Sequence, residues 1–324
     1  MDNGNGKTTA TRETSGETSC ATVSRRLALA LLCGAGPCLT KTLSATDAGQ
    51  PIRLAISESV VGDVNLNDAR AAMTVWVKRL TEDLSVAVDP KLFNTTQEIV
   101  DLARRGQLDA MAINVIEYRQ IAALLDPSQI VTSGGAAGLE QYLILARQNG
   151  NVRQFGDLKG RRICSLKTPR TCVAPAWLAT LLEEDHYGPA DQFFSSMVTD
   201  AKFSRVVLPV FFGQIDACLT TKRGFDTMCE LNPQVAGGLR AIASSPAMVV
   251  NFYIFRKGYQ GVGREKLIKA ILNLPSTVAG KQLATLFQFE DLGIRDASCL
   301  ASGLDVLMAA ERANGRRGAG GRKG

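Results

Sequence analysis

The chain has a single histidine, His186, in 324 residues, which excludes a metal site built from several imidazoles. Its cysteines are not set in paired C-x-x-C units, and glycine-rich phosphate loops of the nucleotide-binding kinds are missing. Between residues 50 and 310 no apolar run lasts more than a few residues, so that region holds no membrane-spanning helix, which needs about 20 apolar residues. A basic excess on the folded part is missing too. Residues 49 to 310 carry 27 Lys and Arg against 26 Asp and Glu, so the basic surface of a nucleic-acid binder is not expected. His186, in "EEDHYGP" at a helix end, reads as a solvent-facing cap. Cys172 at a helix start is expected to have a lowered pKa, but no histidine lies near it in sequence. The expectation is therefore a chain without catalytic residues, cofactor or metal.

The two ends differ from the middle. Residues 1–48 join a polar, Thr/Gly/Ser-rich segment to "SRRLALALLCGAGPCL", whose paired arginines, short apolar run and small residues fit an export signal. Arg25-Arg26 after Ser24 fits twin-arginine export, and general secretory export is equally allowed. The expectation is a periplasmic mature protein with no stable membrane insertion. Residues 311–324, "ERANGRRGAGGRKG", read as a disordered basic tail. Between the ends lie Cys164, Cys172, Cys218, Cys229 and Cys299. In an exported protein Cys218 with Cys229, and Cys164 with Cys172, are candidate short disulfide loops, with one thiol left over.

Apolar periodicity alternates strands and helices. "IRLAIS" (52–57) is a strand, and residues 68–84 set Met73, Val77, Leu80 and Leu84 on one helix face. Thr95 and Glu98 make a T-x-x-E capping pattern, Gly106 ends that helix, and "QLDAMAIN" is the next strand. This βαβαβ order predicts a parallel sheet covered by helices. The device then recurs: "RRGQLDAMAI" (104–113) is echoed by "FFGQIDACLT" (211–220), each closing the second helix of its own unit. Two α/β units follow, with "LEQYLILARQNG" (139–150) and "AMVVNFYIFRKG" (247–258) as crossings out and back. The expected fold class is α/β, two-lobed, each lobe a mixed sheet flanked by helices and joined by two hinge strands. The first lobe takes 49–145 plus 248–310 and the second takes 146–247.

The second unit opens on "FGDLKGRRICSLKTPRTCVAPAWLATLL" (155–182), which gathers Lys167, Thr168, Arg170 and Thr171 before a helix opened by Pro175. A helix start leaves unpaired N–H groups and partial positive charge, so it can hold an anion. It can equally be a plain cap, with Arg170 paired to the acidic residues at 183–185.

In the order and spacing of "GQLDAMAI" with Tyr118 beyond it, "FGDLKGRRICSL", Pro175 after a hydroxyl-rich loop, "FFGQIDA" and "MVVNFYIFRKG", the sequence resembles the type II periplasmic solute-binding proteins of ABC transporters. It is most similar to their phosphate, phosphite and phosphonate-binding branch, over residues 52 to about 290. The resemblance implies a monomer that captures a small anionic solute of that kind for an ABC permease. It places the anion loop at Thr168, Pro169, Arg170 and Thr171, with Lys202 and Phe203 where the branch often has a hydroxyl or amide followed by histidine. From the first lobe it implies Asn94, Thr95 and Tyr118, with Ser57 and Glu58 at the end of the first strand. An orphan two-lobed sensory domain for a carboxylate or other anion is the alternative.

Overall fold

The computed structural model of the chain describes residues 50–61, 65–134, 138–287, 289 and 291–320. The export signal read at 1–48 and the last four residues of the basic tail lie outside the described residues. Strand β1 (Ile52–Ser57) pairs in parallel with β2 (Val88–Phe93) on one side and β3 (Ala110–Asn114) on the other. Helix α1 (Leu66–Leu84) joins β1 to β2, and α2 (Thr96–Arg104) joins β2 to β3. Side chains of β1 and β3 are buried almost without alternation, as expected for parallel strands covered on both faces. Pro90 is tolerated in β2 because β2 is the sheet edge. Met73 and Trp76 of α1 are buried beneath the sheet, Val77 is partly so, and the side chains of Leu80 and Leu84 lie outside the described ones.

After α3 (Val115–Ile121) the chain adds β4 (Leu125–Ser133) to this sheet, then crosses to β5 (Tyr142–Arg147) of a second one. The second sheet continues with β6 (Arg162–Leu166), α4 (Ala174–Glu184), α5 (Ala190–Phe193), β7 (Ser196–Asp200), α6 (Phe203–Phe211) and β8 (Ala217–Thr221). It is completed by α7 (Lys222–Leu231), α8 (Pro233–Gly238) and β9 (Leu239–Ser244). The return adds β10 (Asn251–Arg256), α9 (Val262–Leu272), α10 (Val278–Phe287) and β11 (Leu292–Arg295) to the first sheet, and α11 (Ala301–Gly320) ends the described chain. The sheet orders are β11-β4-β10-β3-β1-β2 and β7-β6-β8-β5-β9, each mixing parallel and antiparallel neighbours. The long apolar runs read as crossings are therefore mostly sheet strands. The crossing segments are shorter and are tied together by an antiparallel bridge between Glu140 and Met248.

The repeated hexamer has one structural meaning in both sheets. Gly106 and Gly213 close their helices at φ +67° and +75°, the left-handed conformation glycine adopts without steric cost. The following Asp then anchors the start of the unit's first strand. Asp109 accepts from the backbone N–H of Arg53 at 3.0 Å and from its guanidinium at 2.6 and 2.8 Å. Asp216 accepts from the backbone N–H of Arg162 at 2.9 Å.

Two expectations are corrected. Residues 311–320 belong to α11 rather than to a disordered tail. Ala309 to Ala313 are mostly strong helix formers, Ala310 and Ala313 are buried, and Glu311 pairs with Arg119 of α3. All five cysteines between the ends are free thiols. Cys164 and Cys218 sit in register on β6 and β8 and pack as small apolar side chains with Val206 and Val207.

Candidate functional site

Every site residue expected from sequence lies at or beyond the carboxyl end of a strand, where open α/β sheets place ligands. At the end of β6, Thr168–Thr171 form a tight 3-10 turn before α4. The Thr171 hydroxyl is buried, accepts from the N–H of Thr168 at 3.0 Å, and lies 2.9 Å from the carbonyls of Leu166 and Thr168. It closes the turn and has no open face for a ligand. Val173 and Ala174 at the start of α4 are buried as well, and the Tyr142 hydroxyl donates to the Arg170 carbonyl at 2.9 Å. The α4 start is thus sealed behind the core. Arg170 pairs with Glu140 on the crossing segment, not with the acidic residues at 183–185.

Open space lies beside that turn. A pocket of about 650 Å³ on the second sheet's carboxyl edge is lined by Thr168, Arg170, Lys202, Ser204, Thr221 and Arg223. Phe203, Met228 and Leu231 give it an apolar wall, and none of the described lining residues is acidic. Three carboxylates adjoin lining residues in sequence: Asp200 accepts from the Lys202 N–H at 2.7 Å, at the start of α6, Asp226 pairs with Lys222 at 2.5 Å, and Glu230 is exposed. Two helices begin at this pocket. Thr221 caps α7 through the Gly224 N–H at 3.2 Å, whereas Lys202 precedes α6 without a side-chain cap. Both helix starts add positive potential to the cations.

The first lobe presents a different chemistry. The buried Glu117 carboxylate accepts from Ser57 at 2.5 Å, Ser59 at 3.0 Å, Thr96 at 3.1 Å and the Asn114 N–H at 2.9 Å. Ser57 is therefore committed to a carboxylate. Tyr118 is buried edge-on against Phe252, ring centroids 5.7 Å apart, and burial raises its phenol pKa. It is a core residue and does not face a cleft. Asn94 and Thr95 are exposed at the start of α2, where Thr95 caps the Glu98 N–H at 3.4 Å. The 3-10 turn Glu58–Val60 packs against the Pro169–Thr171 turn, so the lobes meet here.

The structure thus gathers Thr168, Arg170 and Lys202 and leaves Thr171, Tyr118 and Ser57 in supporting roles. Sequence reasoning missed Arg223, Glu117 and Glu140. Arg223 was findable as a cation two residues past the strand of the second Gln-aliphatic-Asp-Ala unit, and Asn114-x-x-Glu117 is a legible capping box. Glu140 carried no local signal. The expectation for Cys172 is reversed: burial pushes its thiol up to about 12, with the charges of Glu117 and Glu140 adding to the effect. His186 is exposed, at φ +57° just past α4, which fits a helix end.

Solved structures share this fold at low identity. A Xanthomonas citri protein bound to ATP superposes with a TM-score of 0.59 at 13% identity, over 82% of this chain and 98% of that one. PhnD1 from Prochlorococcus marinus, in complex with methylphosphonate, gives 0.55 at 14%, over 81% and 98%. The binding-protein component of a Pseudomonas aeruginosa ABC phosphonate transporter gives 0.54 at 13%, over 82% and 88%. No curated protein sequence matches the chain. The family model described as "ABC transporter, phosphonate, periplasmic substrate-binding protein" matches residues 60–298, and with that match over most of its length this chain belongs to the phosphonate-binding family of periplasmic solute-binding proteins, which are not enzymes.

Proposed function

We propose that the chain captures a small phosphorus oxyanion, of the phosphate, phosphite or alkylphosphonate kind, at the cationic pocket of its second lobe and delivers it to an ABC permease. The observation that carries this reading is the pocket lined by Arg170, Lys202 and Arg223 and by hydroxyls, with no carboxylate among its described lining residues. Charge-assisted donors of this kind bind oxyanions most strongly. Lys202, Arg223 and Thr168 contact the anion, Arg170 adds charge partly offset by Glu140, and Thr171 holds the turn. Phe203, Met228 and Leu231 take an alkyl substituent. Asn94 and Thr95 are the first-lobe donors that reach the ligand when the lobes close by hinge motion. The relatives' ligands named above, methylphosphonate and ATP, are phosphorus oxyanions too. In this reading residues 1–48 direct export and are removed, and the mature protein works in the periplasm as a monomer. No helix among the described residues is long and apolar enough to cross a membrane.

The test is a thermal-shift screen of phosphate, phosphite, methylphosphonate, sulfate and acetate. A ligand that binds only the folded state stabilises it by about 2.7 kcal/mol at a hundred times Kd. The reading expects phosphorus oxyanions to raise Tm and acetate to leave it unchanged; a response to carboxylates alone favours the orphan receptor instead.

A further inference from the structure

We propose that the first lobe carries a second, separate ligand site, a small cavity beneath its sheet that takes an uncharged molecule with a short hydrocarbon body and one hydrogen-bond-donating head. The cavity, about 110 Å³, lies between the sheet and helices α1 and α10, with walls from Ile56, Val60, Met73, Trp76 and Leu283. A cavity of about 150 Å³ with such walls holds a benzene molecule, which has six non-hydrogen atoms, so this one has room for roughly four or five.

Its polar end is unusual in what it leaves unmade. Glu140 and Asn251 both line the cavity, and Glu140 Oε2 and Asn251 Oδ1 are buried without a hydrogen-bond partner. Tyr253 lines it too, and burial pushes its phenol up to about 12, so it stays neutral. Buried acceptors are nearly always satisfied, and an orphan costs the desolvation that its missing bond would offset. Two orphan acceptors on residues of one cavity call for a donor.

The neighbouring ion pair fixes the charge of that donor. Glu140 Oε1 already accepts from Arg170, so the carboxylate is neutralised locally. A cationic head would be buried beside a guanidinium and an anionic head beside a carboxylate, each at a desolvation penalty. A neutral amide or hydroxyl meets both acceptors without that penalty. Arg170 is the one described residue that lines both this cavity and the cationic pocket, so the two sites are otherwise distinct.

Three probes share a short hydrocarbon body and differ in head: propionamide, propionate and propylammonium. Each is titrated into the full chain and followed at the Trp76 indole N–H by NMR. Trp177 is the only other tryptophan and serves as the remote control. The expected result is saturable binding of propionamide, with the charged probes at least about tenfold weaker because their heads are desolvated beside a like charge. Ala112→Leu, which fills the cavity, and Asn251→Leu, which removes one acceptor, both abolish the Trp76 response while the phosphate response of the second lobe is unchanged. If Ala112→Leu does not fold, Asn251→Leu decides. The proposal is overturned if propionamide gives no saturable response, if propionate or propylammonium binds as well, or if binding survives the variants.

Discussion

Glu140 holds the guanidinium of Arg170, so a carboxylate on the segment crossing between lobes neutralises one of the three cations of the second-lobe pocket. Both side chains are largely buried, 17% and 7% exposed. Removing one partner of such a pair leaves the other charge uncompensated. Glu140→Gln is therefore expected to lower stability by about 3 kcal/mol in the absence of anion. It should also tighten phosphate binding, because Arg170 then acts with full charge. Urea unfolding with and without phosphate measures both effects, and an unchanged phosphate affinity would remove Arg170 from the site.

Thr171 separates support from contact. Its hydroxyl serves only the turn, so Thr171→Ala should cost about 1 kcal/mol of stability, as loss of a capping hydroxyl does. Oxyanion affinity, read by calorimetry at a temperature where the variant is folded, should stay within a factor of about two, since no ligand contact is lost.

Asp109 predicts part of the acid response. Burial raises its pKa, but hydrogen bonds from the side chain and backbone of Arg53 and the charges of Arg53 and Arg256 outweigh this and hold it below its ordinary 3.8. A depressed folded pKa contributes stability that is complete above the unfolded value and is lost as pH falls through the folded one. Asp109→Asn should thus be less stable than the parent at neutral pH, and the gap should narrow as pH drops below 3.8. Denaturant midpoints followed down through the carboxylate range give the answer; a constant gap would mean that Asp109 acts only through shape.

Thiol chemistry distinguishes the observed cysteines from a disulfide framework. Cys218 is fully buried with its pKa raised, mainly by desolvation, and Cys172 is pushed up to about 12. Iodoacetamide at mildly alkaline pH should leave both unmodified in the native protein, because the thiolate is the nucleophile. Mass spectrometry after unfolding without reductant should then find them alkylated. Alkylation that appears only after reduction would show that they were bonded.

Much of the fold was legible because its signals are local. Thr95 as a cap and Gly106 and Gly213 as left-handed stops act within a few residues, and the recurring Gln-aliphatic-Asp-Ala was visible as a repeat although its Asp anchors a strand far back in the chain. The site was legible only in part. Thr168, Arg170 and Lys202 share the carboxyl edge of one sheet, which strand order alone implies. The pairing of Arg170 with Glu140 spans thirty residues and depends on how the crossing segment lies. The burial of Tyr118 against Phe252 depends on an antiparallel return strand from far along the chain. Such long-range choices are made by packing and leave no periodic trace.

The central claim is that the lining cations of the second lobe bind a phosphorus oxyanion. Calorimetric titration of methylphosphonate and phosphate into the parent, Lys202→Ala and Arg223→Ala tests it most directly. Each variant should lose roughly 1.5 to 3 kcal/mol of binding free energy, the value of a hydrogen bond to a charged group, while Tm without ligand changes little. Unchanged affinity in both variants, or no heat of binding in the parent, would contradict the account.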